Sequence, residues 1–340
     1  MILPPEAPTS WTGDHHRLHR LLRRLPQLLP AGEPLLLAVS GGQDSMALVG
    51  LLLALQPQHR WQLLLWHGDH RWRPESTAQA QGLEAWAAAR GLPLQLDSWE
   101  RPEAQRPSEA SARQWRYSCL EQRARQLACR RVITGHTASD RAETLLLNLA
   151  RGCHRRGLAS LGRSRVLGPG IELVRPLLAF SRQDTGRICR ELELPLWLDP
   201  SNQDSRFSRN RVRQEVIPVL ESLHPGAARR MARAAQQLAE VEQAQGELLE
   251  LALAALEMQA PAGGLDPALN RKGLDELTRA NQGQLIQRWL ERLGPQRCSD
   301  HALSSVLDGL SEPARAGGAD LGAGWRLHWR PPTLWLSREV

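Results

Sequence analysis

The chain has 340 residues, with 43 basic and 36 acidic side chains for a formal charge of +7, and all the basic residues are arginine except Lys272. That length allows about two domains with a real core, and 41% apolar residues with 12 Trp is a globular composition, not a disordered one. A Walker-type loop needs Gly-Lys-Ser/Thr, which Lys272 before Gly273 does not supply. The longest apolar run, 46–55, is too short to cross a bilayer, and the first ten residues carry no signal-peptide pattern.

Residues 14–29 place Leu18, Leu21, Leu22, Leu25 and Leu29 at helical spacing, with Asp14 as cap. Short apolar runs then follow at 35–39, 63–66, 94–96 and 132–134, alternating with helical stretches at 44–55, 76–90, 108–128 and 140–151. Nearly continuous apolar strands alternating with helices predict an α/β fold with a parallel sheet covered on both faces. Ligands of such sheets bind at the carboxyl ends of the strands. Beyond Val212 the texture changes. Residues 229–257 are rich in Ala, Leu, Gln and Glu and predict one or two long helices, followed by a break at 261–264 and helices at 282–293 and 301–310. Runs at 325–329 and 334–336 predict a terminal strand pair. The expected division is therefore 1–213, an α/β catalytic domain, and 214–340, a mainly helical one.

Charge follows that division. Residues 1–213 carry 30 basic and 20 acidic side chains, whereas 214–340 carry 13 and 16. Within the first part, 151–213 alone holds 13 basic and 6 acidic residues. A local arginine surplus marks either a polyanion surface or a solvated face. The five cysteines are scattered, with no Cys-x-x-Cys, as in a reduced cytosolic protein without a disulfide framework.

The strongest motif is Ser40-Gly41-Gly42-Gln43-Asp44-Ser45, between the first strand and its helix. Two glycines permit a tight turn that aims successive N–H groups at an anion. Ser40 and Ser45 add hydroxyls, and the helix N-terminus adds its dipole. Asp44 beside phosphates calls for a cation between them, either Mg²⁺ or a cationic substrate group. This loop resembles that of the PP-loop ATP pyrophosphatases, which cleave ATP between its α- and β-phosphates.

Further motifs follow each later strand: His67-Gly68-Asp69-His70 with Arg71, Arg73 and Ser76; Ser111-Ala112-Arg113 with Arg116-Tyr117; and Gly135-His136-Thr137 running into Asp140-Arg141-Ala142-Glu143. Arg175-Pro176-Leu177, Asp199-Pro200-Ser201-Asn202 and Arg209-Asn210-Arg211-Val212-Arg213 come after them. In order and spacing these resemble the tRNA(Ile)-lysidine synthases over residues 33–215. One departure is Arg151-Gly152-Cys153-His154, where the family usually has Arg-Gly-Ser-Gly.

The resemblance implies a ligase that joins free L-lysine to C2 of the wobble cytidine of a tRNA(Ile) with a CAU anticodon, through an adenylated cytidine, in the cytoplasm and away from membranes. ATP and Mg²⁺ would be required, and a homodimer is compatible. The implied ATP site is Ser40, Gly41, Gly42, Gln43, Asp44, Ser45, His70, Arg113 and His136, with Asp44 also a Mg²⁺ ligand. Asp140 and Glu143 stand three apart, sharing a helix face. With Asp44 they form an acidic trio assigned to lysine binding and catalysis, although two acids at a helix N-terminus also stabilise the helix itself. Asn202, Arg209, Asn210, Arg211 and Arg213 are the implied tRNA contacts. Two other readings remain open: a different PP-loop tRNA-modifying or amidating enzyme, and a tRNA-binding homologue without catalysis.

Overall fold

The apolar runs at 35–39, 63–66 and 132–134 become strands because both of their faces are covered: Leu35, Leu36 and Leu37 of the first strand are all fully buried, whereas the run at 94–96 is only half-buried. The structure is a computed structural model that describes residues 11–71, 74–100, 109–159, 161–197, 208–294, 298–312 and 316–338. It clusters into two compact units, Met1–Ala239 and Glu240–Val340.

The first unit begins with α1 (Gly13–Arg24), β1 (Pro34–Ala38), α2 (Gln43–His59), β2 (Gln62–Asp69), α3 (Pro74–Ala88), β3 (Leu94–Ser98), α4 (Glu109–Gln126), β4 (Arg131–Thr134) and α5 (Ala138–Ala150). α1 stops short of the predicted end. Pro26 disfavours helical geometry at Leu25, which caps the helix with φ −129° and ψ 64°. A short helix α6 (Arg155–Leu158) leads to a hairpin, β5 (Ser164–Gly168) and β6 (Ile171–Val174), which the apolar pattern did not predict. A 3₁₀ turn (Pro176–Ala179), α7 (Arg182–Glu191), α8 (Ser208–Arg211), a π-helical turn (Val212–Val216) and α9 (Ile217–Leu223) complete it, and α10 (Ala227–Leu256) runs on into the second unit.

The sheet order is β3-β2-β1-β4-β6-β5, parallel throughout except for β5, which pairs antiparallel with β6 at the edge. The order reverses direction between β1 and β4, so a crevice opens at their carboxyl ends.

The expected boundary at 213 falls inside the helical run that follows β6, and contacts divide the chain later, after Ala239. Arg229 on α10 still binds Asp184 of α7 at 2.8 Å, and Gln236 accepts from Arg141 of α5 at 2.7 Å.

The second unit holds the rest of α10, β7 (Glu257–Met258), β8 (Leu265–Asn270), α11 (Arg271–Asp275), α12 (Arg279–Leu293), α13 (Asp300–Leu310), β9 (Gly317–Gly322), β10 (Trp325–Arg330) and β11 (Thr333–Arg338). The predicted strand pair is β10 and β11, and it sits inside a five-stranded antiparallel sheet, β7-β8-β11-β10-β9. Trp289 of α12 is fully buried against Leu327, Leu334 and Leu336, and its indole N–H donates to Pro267 O at 2.8 Å. Trp289→Ala is expected to cost about 3–5 kcal/mol. Chemical denaturation should register this as a lower midpoint for this unit.

Candidate active site

The crevice is a cleft of about 430 Å³, entirely within the first unit. The loop after β1 supplies Ser40, Gly42, Gln43, Asp44 and Ser45. β2 and the turn after it supply His67 to His70, α4 supplies Arg113 and Tyr117, and the turn after β4 supplies Gly135, His136 and Asp140. Arg182, Arg209, Asn210 and Arg213 close it.

The loop is built by its own hydrogen bonds. Ser45 Oγ donates to Gly42 O at 2.8 Å and accepts from the Ser40 N–H at 3.2 Å, while the Gly42 N–H donates to Ser40 Oγ at 3.3 Å. Gly41 does not line the cleft. It takes φ +77°, and a Cβ there would stand 3.2 Å from the Trp197 ring. Gly41→Ala is therefore expected to lose about 1–2 kcal/mol of stability. It should also weaken nucleotide binding as the turn shifts, both effects being readable by thermal unfolding and titration calorimetry. Gly135 is needed for a different reason. Its Cβ would meet the Asp44 backbone at 2.8 Å, so only glycine lets the end of β4 touch the first turn of α2.

Arginines answer the acidic trio. Asp44 Oδ2 accepts from Arg182 at 3.0 Å and Oδ1 from Thr185 Oγ1 at 2.5 Å. Burial pushes the Asp44 carboxyl up and the charge of Asp140 adds to this, while Arg182, Thr185 and Arg213 oppose it. Asp140 sits within the same cleft, and Arg209 reaches both it and Glu143 at 2.8 Å. Arg213 binds Glu143 at 2.7 Å and Asp140 at 3.4 Å. Burial would raise Asp140, but Arg209, His136, the Thr137 N–H and Arg213 hold it below the usual carboxylate range. Asp140 Oδ2 also accepts from the Thr137 N–H and hydroxyl, closing the capping box of α5. Glu143 is fully buried beneath the cleft floor.

Burial pushes His136 down to about 3 against the pull of Asp140, so the ring is neutral at pH 7, with Nδ1 2.8 Å from Thr134 Oγ1. His67 is a structural partner of Val39 O at 2.7 Å and is likewise lowered by burial. Asp69 accepts from Ser76 Oγ at 2.6 Å and Thr77 Oγ1 at 3.1 Å, tying β2 to the start of α3.

Several expectations need refinement or correction. Gln43 lines the cleft, and its side chain ties the loop to α7, donating to Arg182 O at 2.6 Å and Thr185 Oγ1 at 2.8 Å. Arg211, expected at the tRNA surface, is exposed and paired with Glu215 at 2.9 Å. Arg209 and Arg213, expected to face RNA, bind the acid pair instead. Arg73 and the segment 199–202, with Asn202, lie outside the described residues. Sequence reasoning missed Arg182 and Thr185 altogether, although Ser181 and Asp184 form a capping box that marks the start of α7. Among the described residues no group of three or more His, Cys, Asp or Glu is arranged to hold a metal ion, and the five cysteines are separate. No helix among them is long and apolar enough to cross a membrane.

A family profile described as a PP-loop domain matches residues 15–220. A protein of Parasynechococcus marenigrum named tRNA(Ile)-lysidine synthase is 49% identical over 332 residues, 96% of each chain. One of the same name from Prochlorococcus marinus is 39% identical over 333 residues, again 96% of each chain. Among solved structures, the U34-tRNA thiolase NcsA of Methanococcus maripaludis superposes with a TM-score of 0.56 at 19% identity, covering 66% of this chain and 78% of that one, a likeness of fold alone. With a glycine-rich loop at the switch point, an acid pair beside it and relatives matched nearly end to end, the chain belongs to the tRNA(Ile)-lysidine synthase family and is built on its ATP-binding PP-loop domain.

Proposed function

We propose that this protein ligates free L-lysine to C2 of the wobble cytidine in tRNA(Ile) bearing a CAU anticodon, converting ATP to AMP and pyrophosphate. The observation that carries this reading is the juxtaposition, in one cleft, of an anion-binding loop with a buried acid pair that already holds two guanidinium groups. The loop suits a triphosphate, and the acid pair is a seat for a cation such as the lysine ammonium.

In the first step the cytidine C2 oxygen attacks the α-phosphate and pyrophosphate leaves. The N–H groups around Gly42 and the hydroxyls of Ser40 and Ser45 stabilise the charge that develops on the phosphates. Arg113 and His70 extend that surface, and His136, neutral at working pH, can accept or donate without adding charge. In the second step the ε-amine attacks C2 of the adenylated base and AMP departs. The two cleft carboxylates divide the labour according to their environments: Asp140, held ionised by its arginines, anchors the ammonium, with Glu143 beneath it fixing those arginines, whereas Asp44, raised by burial, is the better proton acceptor. Mg²⁺ fits a site with a single protein carboxylate only when the substrate supplies the other ligands, so Asp44 and the phosphates of ATP would hold it, where it would stabilise the leaving pyrophosphate. Of the basic segment, Asn202, Asn210 and Arg211, together with the helical C-terminal region, are assigned to tRNA, while Arg209 and Arg213 stay with the acid pair. A single-stranded anticodon loop lets the base leave its stack cheaply to enter the cleft.

The test is incubation of purified protein with ATP, Mg²⁺, labelled lysine and tRNA(Ile) carrying CAU. Lysine-labelled tRNA is the expected product, and its absence with competent tRNA would sink the reading.

A further inference from the structure

At the α4 side of the cleft, four residues form a cluster that the ATP and lysine sites do not use fully. Tyr117, the only tyrosine in the chain, lies with the Arg165 guanidinium 4.5 Å from its ring centroid and that of Arg113 at 5.3 Å. Behind it, Arg175 is 2% exposed. Its NH1 donates to Gly162 O at 2.7 Å, while its Nε, buried, has no hydrogen-bond partner. Among the described residues none of the three arginines is paired with a carboxylate. Glu121, one turn further along α4, is taken by Arg125 at 2.6 Å, and Glu172 on β6 lies 3.7 Å from Arg131. Three guanidiniums without an acid, one of them fully buried, are costly unless an anion completes them.

The cluster also has a direction. Arg113 and Tyr117 line the cleft, whereas Arg165 sits on the exposed edge strand β5 beside Val166, which is 72% exposed. A triphosphate cradled by the loop at β1 has no reason to reach β5. A polymer that places one nucleotide in the cleft extends beyond it, and this rim offers its backbone unneutralised positive charge. We propose that Arg113, Arg165 and Arg175, organised around Tyr117, bind a backbone phosphodiester of the tRNA next to the nucleotide that enters the cleft. Arg165 makes the outer contact and Arg175 sets the field from below. This rests on the tRNA reading above. Tyr117 reports on the site: burial would raise its phenol, yet Arg113, Arg165 and Arg175 draw it below the ordinary value, so a bound phosphate, by offsetting that charge, must push it back up.

The experiment uses the full chain and a 2′-O-methyl anticodon stem-loop with CAU as probe. Arg165→Ala should weaken binding by about fivefold and reduce the slope of log K against log salt by about 0.7. ATP affinity measured without RNA should stay as in the unaltered protein. Arg125→Ala, on the same helix but outside the cluster, should leave the slope unchanged. With carbon-13 at Cζ of tyrosine, the single resonance should titrate at higher pH when the stem-loop is bound. An unchanged slope in Arg165→Ala, a loss of ATP affinity in place of RNA affinity, or a Tyr117 midpoint unmoved by the probe would each overturn the proposal. If the slope falls but no lysidine forms, the phosphate site stands and the functional reading fails. If lysidine forms and the slope does not fall, the reverse holds.

Discussion

Asp140→Asn is expected to raise the KM for lysine by about 10–100-fold while changing ATP affinity by less than about threefold, because one charge-assisted hydrogen bond to a cation contributes roughly 1.5–3 kcal/mol. The fold should tolerate the change. Asp140 Oδ2 accepts from Thr137 N–H and Oγ1 at 2.8 Å each, and the amide oxygen of Asn can keep accepting there. What disappears is the negative charge that Arg209 and Arg213 now hold. A second consequence follows through Asp44. The charge of Asp140 helps raise the Asp44 carboxyl, so neutralising it lets Asp44 ionise at lower pH. If ionised Asp44 is the acceptor, activity falls as pH drops through its pKa, and in Asp140→Asn that acid limb should move to lower pH. Steady-state kinetics with lysine varied at several pH values checks both statements. Equal losses for lysine and ATP, or an acid limb that moves upward, would show that Asp140 does not hold the ammonium.

Most of the scaffold was legible because it rests on two-sided burial. Runs such as 35–39 are apolar enough that no alternative to a covered strand exists, and the phosphate loop follows directly from where the first run ends. Two of the unread strands, β5 and β9, lack that signal. β5 reads exposed, exposed, exposed before its buried end, as an edge strand does, and β9 is Gly317-Gly318-Ala319-Asp320-Leu321-Gly322, a sequence with little strand preference of its own. Their pairing with β6 and β10 is a tertiary decision.

The site shows the same split. Asp44, Asp140 and Glu143 were singled out from their positions after strands, and Asp44 and Asp140 line one cleft, but their partners were not foreseen. Arg182 and Thr185 lie about 140 residues from Asp44 and arrive through α7, a contact that no local pattern encodes. Arg209 and Arg213 are a subtler case. Spaced by four, they share a helix face that matches the face shared by Asp140 and Glu143, while Arg211 between them must point the other way. Counting arginines in 151–213 as a polyanion surface missed this periodicity. Two of the charges counted there neutralise acids across the domain, and the surplus available to RNA is smaller than the composition implies.

The other large effect is expected from Asp44→Asn: a fall in kcat of about 10²–10³-fold, comparable to removing one preorganised group from a charge-stabilising site. Binding should move differently. In the unaltered protein a carboxylate faces the place where the triphosphate sits, which in the ground state is repulsive. Arg182, 41% exposed at its side chain, is occupied in neutralising it. Converting the carboxylate to an amide removes the repulsion and frees Arg182 to face the phosphates, so ATP affinity without divalent metal should hold or improve. Metal dependence is where the loss should appear, with half-maximal activity needing more Mg²⁺ because its one protein carboxylate is gone. The split between kcat and nucleotide affinity carries the test. A variant that binds ATP poorly yet turns over normally once saturated would place Asp44 in ground-state binding alone, and the role given to it in both chemical steps would be wrong.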